Sequence, residues 1–287
     1  MNIAIFADLH GYLHLCFKIC ARWEKETGEQ IDIILQTGDM GIYPDESWLD
    51  PATHRHALRD PEELGFMDSF ARYDADVAAT LQRMSSNIIF IRGNHEAHGW
   101  LDQREAHAPD PLFAVDIYQR VYCLKSGIPY TFSRNGEQVT ILGLGRIAGR
   151  NGQIGWKPSY VQDYELVRLQ QIKDQQIDIF LTHDAPSDLL YWESGLPLID
   201  DILEQHRPLY HFFGHYMGYQ CLEFCYLNHV TSACKLAEPH FNRRDPRRAL
   251  LPGCMGMLRW SHHERHRFEI VDAPWLSEYR PETWRAL

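Results

Sequence analysis

The chain is organised around residues 88–96, whose sequence is IIFIRGNHE. The first four residues are apolar and mostly β-branched, a pattern typical of a buried strand. Asn94 and His95 follow at the point where this strand ends. Because ligands of open α/β sheets bind outside the carboxyl ends of the strands, the pair predicts a functional site there. A Gly-Asn pair after a strand is also typical of a plain turn, so the ends of the other strands must be compared.

Composition limits the classes of protein to consider. The chain has 287 residues, a formal net charge of -11 and 45% hydrophobic residues. We expect one domain over residues 1–287, with a core over about 1–234 and a C-terminal extension over about 235–287. Nonspecific DNA binders usually carry a basic surface, and this acidic chain as a whole does not.

Localisation is predicted from the cysteines and from the apolar runs. The seven cysteines are odd in number and lack Cys-x-x-Cys spacing, which favours reduced thiols. No apolar run is as long as a membrane span, and the first residues lack the basic region of a secretory signal. We therefore predict a cytoplasmic protein with no membrane association and no obligate protein partner.

The first part of the chain predicts a strand–helix–strand unit. Residues 3–7 predict a strand, the apolar spacing from Tyr12 onwards predicts a helix that ends at Gly28, and residues 31–35 predict a second strand. The two strands of such a unit are parallel and their crossover is right-handed.

The remaining chain predicts further strands and long loops. Residues 42–62 and 97–117 show no clear period and predict loops, whereas residues 64–81 predict one helix. Short strands are predicted over 121–142, 177–181 and 210–213, with others between 219 and 271 that would form a second sheet.

Five predicted strands end in side chains of types that bind metals. These residues are Asp8, His10, Asp39, Asn94, His95, His183 and His215. Carboxylate, imidazole and amide groups at one edge of a sheet suit a pair of hard or borderline divalent cations. Two such cations about 3.5–4 Å apart clamp a phosphoryl group and lower the pKa of a water between them. The pattern therefore predicts a dinuclear centre that hydrolyses a phosphate ester.

The ligands divide between two metals. We expect Asp8 and His10 to bind the first cation, and Asp39, the lone carboxylate of its loop, to bridge both. Three further side chains are expected to bind the second cation, namely Asn94, His183 and His215.

Four other residues are candidates for contact with the substrate. His95 lies beside a ligand but points elsewhere, so we expect it to protonate the leaving oxygen as a general acid. Arg92 and Arg146 are candidates for a phosphate contact, because guanidinium groups match phosphate oxygens. A surface position is the alternative for both arginines. His98 lies three residues after His95 and is a further candidate for substrate contact.

The order and spacing of these blocks resemble the calcineurin-like metallophosphoesterase superfamily over roughly residues 3–217. Its pattern is Asp-x-His, Gly-Asp, Gly-Asn-His, a later His, and Gly-His-x-His. The resemblance implies an α/β fold, an αββα sandwich of two mixed sheets, with Mn²⁺ as the favoured metal and Fe²⁺ or Zn²⁺ as alternatives. Met217 stands where the superfamily has the last His, which implies a weaker first metal site.

Within the superfamily, the motifs are most similar to RNA lariat debranching enzymes. The similar strings are GNHEA at 93–97 and DIFLTHD at 178–184. This resemblance implies hydrolysis of a 2′,5′-phosphodiester in RNA, although that family typically has Cys where this chain has Asp8. A nucleotide substrate, a phosphomonoesterase and a protein or nucleotide phosphatase remain alternatives. A non-catalytic binding protein on a degenerate fold is the second alternative.

Overall fold

Two mixed sheets form the centre of the protein in a computed structural model. The structure describes residues 1–149, 152–172, 175–191, 193–216, 221–239, 241, 248–261 and 266–287. The strands are β1 Asn2–Phe6, β2 Ile33–Gln36, β3 Ile88–Phe90, β4 Leu112–Ala114, β5 Val121–Leu124, β6 Tyr130–Arg134, β7 Glu137–Leu144, β8 Ile179–Thr182, β9 Tyr210–Phe213, β10 Leu222–Cys225, β11 Ser232–Lys235, β12 Gly256–Arg259 and β13 Arg267–Ile270. The helices are α1 Leu13–Thr27, α2 Pro51–Ala57, α3 Gly65–Ser69, α4 Ala75–Gln82, α5 His98–His107, α6 Asp163–Gln171 and α7 Pro197–His206.

The strand order places parallel strands at the centre of each sheet. The first sheet has the order β13-β12-β1-β2-β3-β5-β4, and the second has the order β10-β11-β9-β8-β7-β6. β1 pairs with β2 in parallel, as predicted, and β8 pairs with β9 in parallel. Because parallel strands share one direction, their carboxyl ends lie along one edge of each sheet.

Alternation along the strands separates the apolar layers. In β1, Ile3 and Ile5 pack between the two sheets, whereas Ala4 and Phe6 face the helical layer of the first sheet. In the second sheet, Leu181 of β8 packs between the sheets and Phe180 faces the layer that contains α6 and α7. Successive side chains of a strand point to opposite faces, and here both faces of the strand are covered by apolar layers. The predicted αββα architecture is confirmed.

Helix α1 shows how local sequence fixes an element. Leu13, Cys16, Phe17 and Cys20 recur at helical spacing, and all four are buried. Gly28 follows the helix with a φ of 72°, and its N–H donates to the carbonyl of Glu24 at 2.9 Å. Glycine adopts this left-handed conformation at no steric cost, so it ends the helix. The predicted helix and its end are confirmed.

Two predicted loops contain helices, so both predictions were wrong. Within residues 42–62, Asp50 accepts hydrogen bonds from the backbone of Ala52 and Thr53 and begins α2. Within residues 97–117, α5 buries Leu101, and β4 follows it. Both helices are short, and neither buries more than one apolar side chain, so the sequence shows no clear helical period there.

The single helix predicted over residues 64–81 is two helices, α3 and α4. Helix α3 ends at Ser69, and the Asp74 carboxylate accepts from the N–H groups of Asp76 and Val77 to begin α4. An aspartate at this position satisfies backbone donors that have no partner within the helix. The apolar period continues across the break, which is why the sequence predicted one helix.

The sequence predicted that the late strands form a second sheet, and this is wrong for two of them. β10 and β11 join that sheet, but β12 pairs antiparallel with β1, and β13 pairs with β12. The residues after 248 therefore complete the first sheet, and Trp284 is buried against its helical layer. Long-range strand pairing of this kind has no signal in a local pattern. In the described part of the chain, no helix is long and apolar enough to cross a bilayer.

Candidate active site

The predicted ligands lie on five loops, the edge loops, which follow β1, β2, β3, β8 and β9. The structure brings their side chains together. One potential ligand atom from each of Asp39, His183 and His215 lies within 4.8 Å of the others, and the same holds for Asp8, His10 and Asp39. Asp39 belongs to both groups, which is the arrangement expected of a bridging carboxylate.

His183 shows how a predicted ligand is oriented. The buried ring places Nδ1 2.9 Å from the carbonyl oxygen of Thr37, which fixes Nδ1 as the donor in the hydrogen-bond network. Nε2 then lies 3.1 Å from Oδ1 of Asn94 and 3.3 Å from Oδ2 of Asp39. Ligating histidines are commonly held through the second ring nitrogen in this way. The three side chains therefore converge on one point.

Unusual backbone conformations mark the same residues. Asp8, His10, Asp39 and His215 have φ values of 46°, 42°, 53° and 66°. Such conformations cost roughly 1–3 kcal/mol for residues other than glycine and cluster at functional sites. Hydrogen bonds between loops hold them, since His10 N–H donates to the carbonyl of Asp39 at 2.8 Å and His215 N–H donates to the Asp8 carboxylate at 3.0 Å.

Two glycines permit the close approach of the edge loops. A Cβ atom on Gly93 would lie 2.0 Å from the backbone nitrogen of Asp39. A Cβ atom on Gly38, whose φ is 99°, would lie 2.5 Å from Nδ1 of His183. Neither neighbour can move without displacing a ligand, so the glycines of the Gly-Asp and Gly-Asn motifs are required by packing.

The two carboxylates of the site differ in their electrostatics. Burial raises the pKa of Asp8 to about 6, with Asp39 acting in the same direction and His183 against it. Burial also acts to raise the pKa of Asp39, but the charge and hydrogen bond of His183 outweigh it and hold that pKa well below its usual value. Two buried carboxylates at such short range are stabilised by cations. The donor set and its charge therefore fit divalent metals.

His95 is held beside the ligands by an aspartate outside the edge loops. Its backbone N–H donates to Oδ1 of Asp39 at 2.7 Å, and its Nδ1 lies 2.9 Å from Oδ2 of Asp50. Burial favours the neutral ring, but the Asp50 hydrogen bond and the nearby carboxylates raise the pKa of His95 to about 9. Its ring centroid is 5.7 Å from that of His10. A raised pKa favours the charged ring of His95, and its role as a proton donor stays a prediction.

The two arginines are buried and belong to one ion-pair network. Arg92 binds the carboxylates of Asp102 and Glu105, the latter at 2.6 Å. Arg146, which is 1% exposed, donates to Asp102 at 2.9 Å and to the carbonyl of Pro158 at 2.5 Å. A direct phosphate contact would require these bonds to break, so the substrate role stays a prediction for both. The observed contacts instead position the loop that contains Pro158.

His98 lies under this network. Its Nε2 is 3.4 Å from the carbonyl oxygen of Asn94, and its Nδ1 has no hydrogen-bond partner among the described residues. Burial lowers the pKa of His98 to about 3, and the charges of Arg146 and Arg92 act in the same direction. His98 is therefore neutral, and its contact with substrate stays a prediction.

Sequence reasoning missed three acidic residues at the site. Asp50 precedes Pro51, which is a helix N-cap signal, but no local pattern indicates its contact with His95. Glu63 places Oε2 3.8 Å from Nδ1 of His10, and burial raises its pKa to about 7. Glu96 accepts from the backbone of Met40 at 2.8 Å and so ties two edge loops together.

The Met217 position lies outside the described residues. The prediction of a weaker first metal site therefore has no structural description. In the described part of the chain, Asp8, His10 and Asp39 form the first ligand group.

Known proteins match this chain over the part that contains the site. The profile of the calcineurin-like phosphoesterase family matches residues 1–219. The lariat debranching enzyme of Homo sapiens is 23% identical over 251 residues, which cover 75% of this chain and 42% of that protein. The Arabidopsis thaliana lariat debranching enzyme is 27% identical over 200 residues, which cover 65% and 42% of the two chains. The chain thus spans less than half the length of these relatives.

A solved structure shows the same fold at low sequence identity. The crystal structure of TT1561 of Thermus thermophilus has a TM-score of 0.50 and 14% identity, and the match covers 83% of this chain and 89% of that chain. The family match contains all five edge loops up to His215. On its sequence and its two-sheet fold, the chain belongs to the calcineurin-like phosphoesterase family.

Proposed function

We propose that this protein is a metal-dependent phosphodiesterase that acts on a phosphodiester in nucleic acid or in a nucleotide. One observation carries the proposal. Six ligand side chains from five edge loops converge at one place, and His95, fixed by Asp50, lies beside them. A cation pair and an adjacent proton donor are the groups that phosphate ester hydrolysis needs.

The protein residues have separate tasks in the proposed reaction. Two divalent cations held by the ligands would activate a water for attack on phosphorus and offset the charge of the phosphate. His95 donates a proton to the leaving oxygen. Asp50 keeps the His95 ring in place and stabilises its charged form. Mn²⁺ is the metal we favour for this set of oxygen and imidazole ligands, with Fe²⁺ or Zn²⁺ as alternatives.

The relatives support a diester substrate. Several proteins that match this chain over about three quarters of its length are lariat debranching enzymes. Their identity to this chain is 23–25%, and Asp8 differs from the Cys that is typical of that family. A nucleic-acid phosphodiester is therefore the proposed substrate class, and a 2′,5′ branch is its first candidate. A phosphomonoester, as in a protein or nucleotide phosphatase, is the alternative.

The decisive experiment compares two substrates. Metal-stripped protein is given back Mn²⁺ and assayed on a 2′,5′-branched oligoribonucleotide and on a simple aryl phosphodiester. Cleavage at the branch supports the debranching function, whereas cleavage of the aryl diester alone supports a diesterase with another substrate. An aryl phosphomonoester in a third assay tests the phosphatase alternative.

Absence of turnover on all three substrates would contradict the proposed function. The non-catalytic alternative then makes its own prediction, which is little binding of Mn²⁺ in a metal titration. Asp39→Asn serves as the control for contaminating phosphatases, because an activity that survives loss of the bridging carboxylate does not come from this site.

A further inference from the structure

A cavity of about 420 Å³ lies directly beside His95 and outside the metal ligand groups. Its walls include Trp48, Asp50, His98 and Pro158. Asn94 and His95 also line it, so the cavity and the predicted metal centre share a boundary. A volume of this order falls within the range of small-molecule sites, roughly 300–1,000 Å³.

Trp48 is the largest aromatic side chain in the wall of the cavity, and it is well fixed. It packs against a small apolar cluster that includes Tyr43, Met67 and Ala97. Gly99 provides the space for its ring, because a Cβ atom there would lie 2.9 Å from Cζ3 of Trp48. A preorganised aromatic ring loses little conformational freedom when a flat ligand stacks on it.

A second part of the lining is also held in place. Pro158 and Ser159 line the cavity, and the carbonyl of Pro158 accepts a hydrogen bond from the buried guanidinium of Arg146 at 2.5 Å. Arg146 in turn binds Asp102 at 2.9 Å. The cavity therefore has a fixed aromatic wall and a fixed backbone wall.

The charges of the lining define what the cavity accepts. Among the described residues, none of the lining side chains is Lys or Arg. Asp50 contributes a carboxylate to this lining. A second phosphate group would therefore meet a negative charge and no lysine or arginine side chain. An uncharged flat group fits this surface better than a phosphate chain.

We propose that this cavity binds the nucleobase of the leaving nucleoside, with the base stacked on Trp48, so that the substrate is a diester between two nucleosides. This inference rests on the proposed function, because the leaving oxygen is taken to lie next to His95. Stacking on an aromatic side chain contributes about 1–3 kcal/mol for each base. Trp48 acts on the binding of the leaving group and has no part in proton transfer.

The test varies the leaving group and Trp48 together. One substrate is a 2′,5′-linked adenosine dinucleotide, and the other is the methyl ester of adenosine 5′-phosphate, in which methanol replaces the 2′-linked adenosine as the leaving group. We expect Trp48→Ala to lower kcat/KM for the dinucleotide by roughly 10-fold or more and the methyl ester by less than about 2-fold. Trp48→Phe, which keeps an aromatic face, should restore most of the activity on the dinucleotide.

The matched control is Tyr73→Ala, which removes an aromatic side chain that is 72% exposed and does not line the cavity. It should leave both substrates unchanged. An equal loss on the two substrates in Trp48→Ala, or no loss on the dinucleotide, would overturn the proposal. Circular dichroism of each variant identifies a loss that comes from misfolding.

A binding measurement separates this inference from the proposed function. Adenosine and ribose are titrated into the wild type and into Trp48→Phe, and tryptophan fluorescence is recorded. We expect adenosine to quench the wild type more than the variant, and ribose to quench neither. If adenosine still quenches Trp48 although the protein hydrolyses none of the substrates, the proposed function fails and the base site stands. If diesters are hydrolysed but adenosine causes no difference, the base site is overturned.

Discussion

The edge loops and the segment of residues 42–64 form two parts of the same site, and they are held in place by different means. In the edge loops, left-handed backbone conformations and close glycine contacts place the ligands, as at Asp39 and Gly93. In the 42–64 segment, side chains make the contacts, as Asp50 does with Tyr43 at 2.5 Å and with Thr53 at 2.8 Å. Backbone placement is rigid and tolerates few substitutions, whereas a side-chain network can change one residue at a time.

This difference suggests a division of roles. In the proposed function, the edge loops hold the groups that the chemistry needs. The 42–64 segment supplies Asp50 beside the proposed proton donor His95, Glu63 beside the predicted ligand His10, and Trp48 in the wall of the cavity. Substitutions in the edge loops should therefore abolish the reaction. Substitutions in the 42–64 segment should weaken or redirect it.

Asp39→Asn should have the largest effect. Loss of the bridging carboxylate removes a ligand from both predicted metals and should lower kcat/KM by roughly 10³-fold or more. The fold should survive, because an amide oxygen can still accept from the His95 N–H. Steady-state kinetics and a metal count by mass spectrometry check this expectation. A variant with both metals bound and full activity would contradict the role of Asp39.

His95→Ala should come next, and it tests the proton donor. Loss of a general acid lowers the rate by about 10²–10⁴-fold. The measurement is kcat on diesters whose leaving groups differ in pKa. The variant should lose least on an aryl diester, since an acidic phenol leaves without a proton. An equal loss on all leaving groups would contradict the role of His95.

Asp50→Asn should cost less than loss of His95 itself. A hydrogen bond to a charged group, such as the one between Asp50 and His95, contributes about 1.5–3 kcal/mol. We therefore expect a loss of roughly 10-fold to 100-fold in kcat. The helix should remain capped, because asparagine also serves at this position. Within a double-mutant cycle, Asp50→Asn should change nothing further once His95 is alanine. Additive losses would show that Asp50 acts independently of His95.

Glu63→Gln should affect metal binding more than it affects the fold. Glu63 faces Nδ1 of His10 at 3.8 Å, and groups that orient a ligand change metal affinity by about 10–100-fold. We expect weaker binding of one Mn²⁺, measured by electron paramagnetic resonance on metal-stripped protein. Glu62→Gln is the matched control, since Glu62 pairs with Arg285 at 2.7 Å. Equal affinities in the two variants would contradict the orienting role.

The smallest expected effect is a dependence of the free energy of unfolding on pH. It comes from His211, which lies in the core. Burial lowers the pKa of His211 to about 3 in the folded protein, against about 6.5 for a free histidine. The unfolded chain therefore binds the proton more tightly, and stability falls as the pH decreases below 6.5. Near pH 5 the expected cost is about 2 kcal/mol, and none of it is expected near pH 8.

His211→Phe should flatten this dependence. The ring lies between Phe180 and Phe213, at centroid distances of 5.3 and 5.2 Å, so a phenyl ring suits the position. The measurement is urea unfolding between pH 5 and pH 8, with exposed His54→Ala as the control. An equal dependence on pH in the wild type and in His211→Phe would contradict a neutral His211 in the core.

Much of this protein was determined by its sequence alone. The apolar strands, the polar residue at the end of each and the Gly28 helix end follow from local patterns, and the αββα class and the family were predicted from them. The candidate ligand set was predicted because the metal-binding types recur at one topological position. Carboxyl ends of parallel strands meet at one edge, so their order along the chain predicts their proximity.

Only the tertiary structure decided which other groups surround these ligands. Asp50, Glu63 and Trp48 lie in a segment with no clear period, and their contacts join residues that local spacing does not relate. The pairing of β12 with β1 and the burial of Arg146 are likewise long-range. A sequence pattern records which side chains are present and their local period. Their mutual orientation depends on how separate elements pack, and the specificity of the site depends on that orientation.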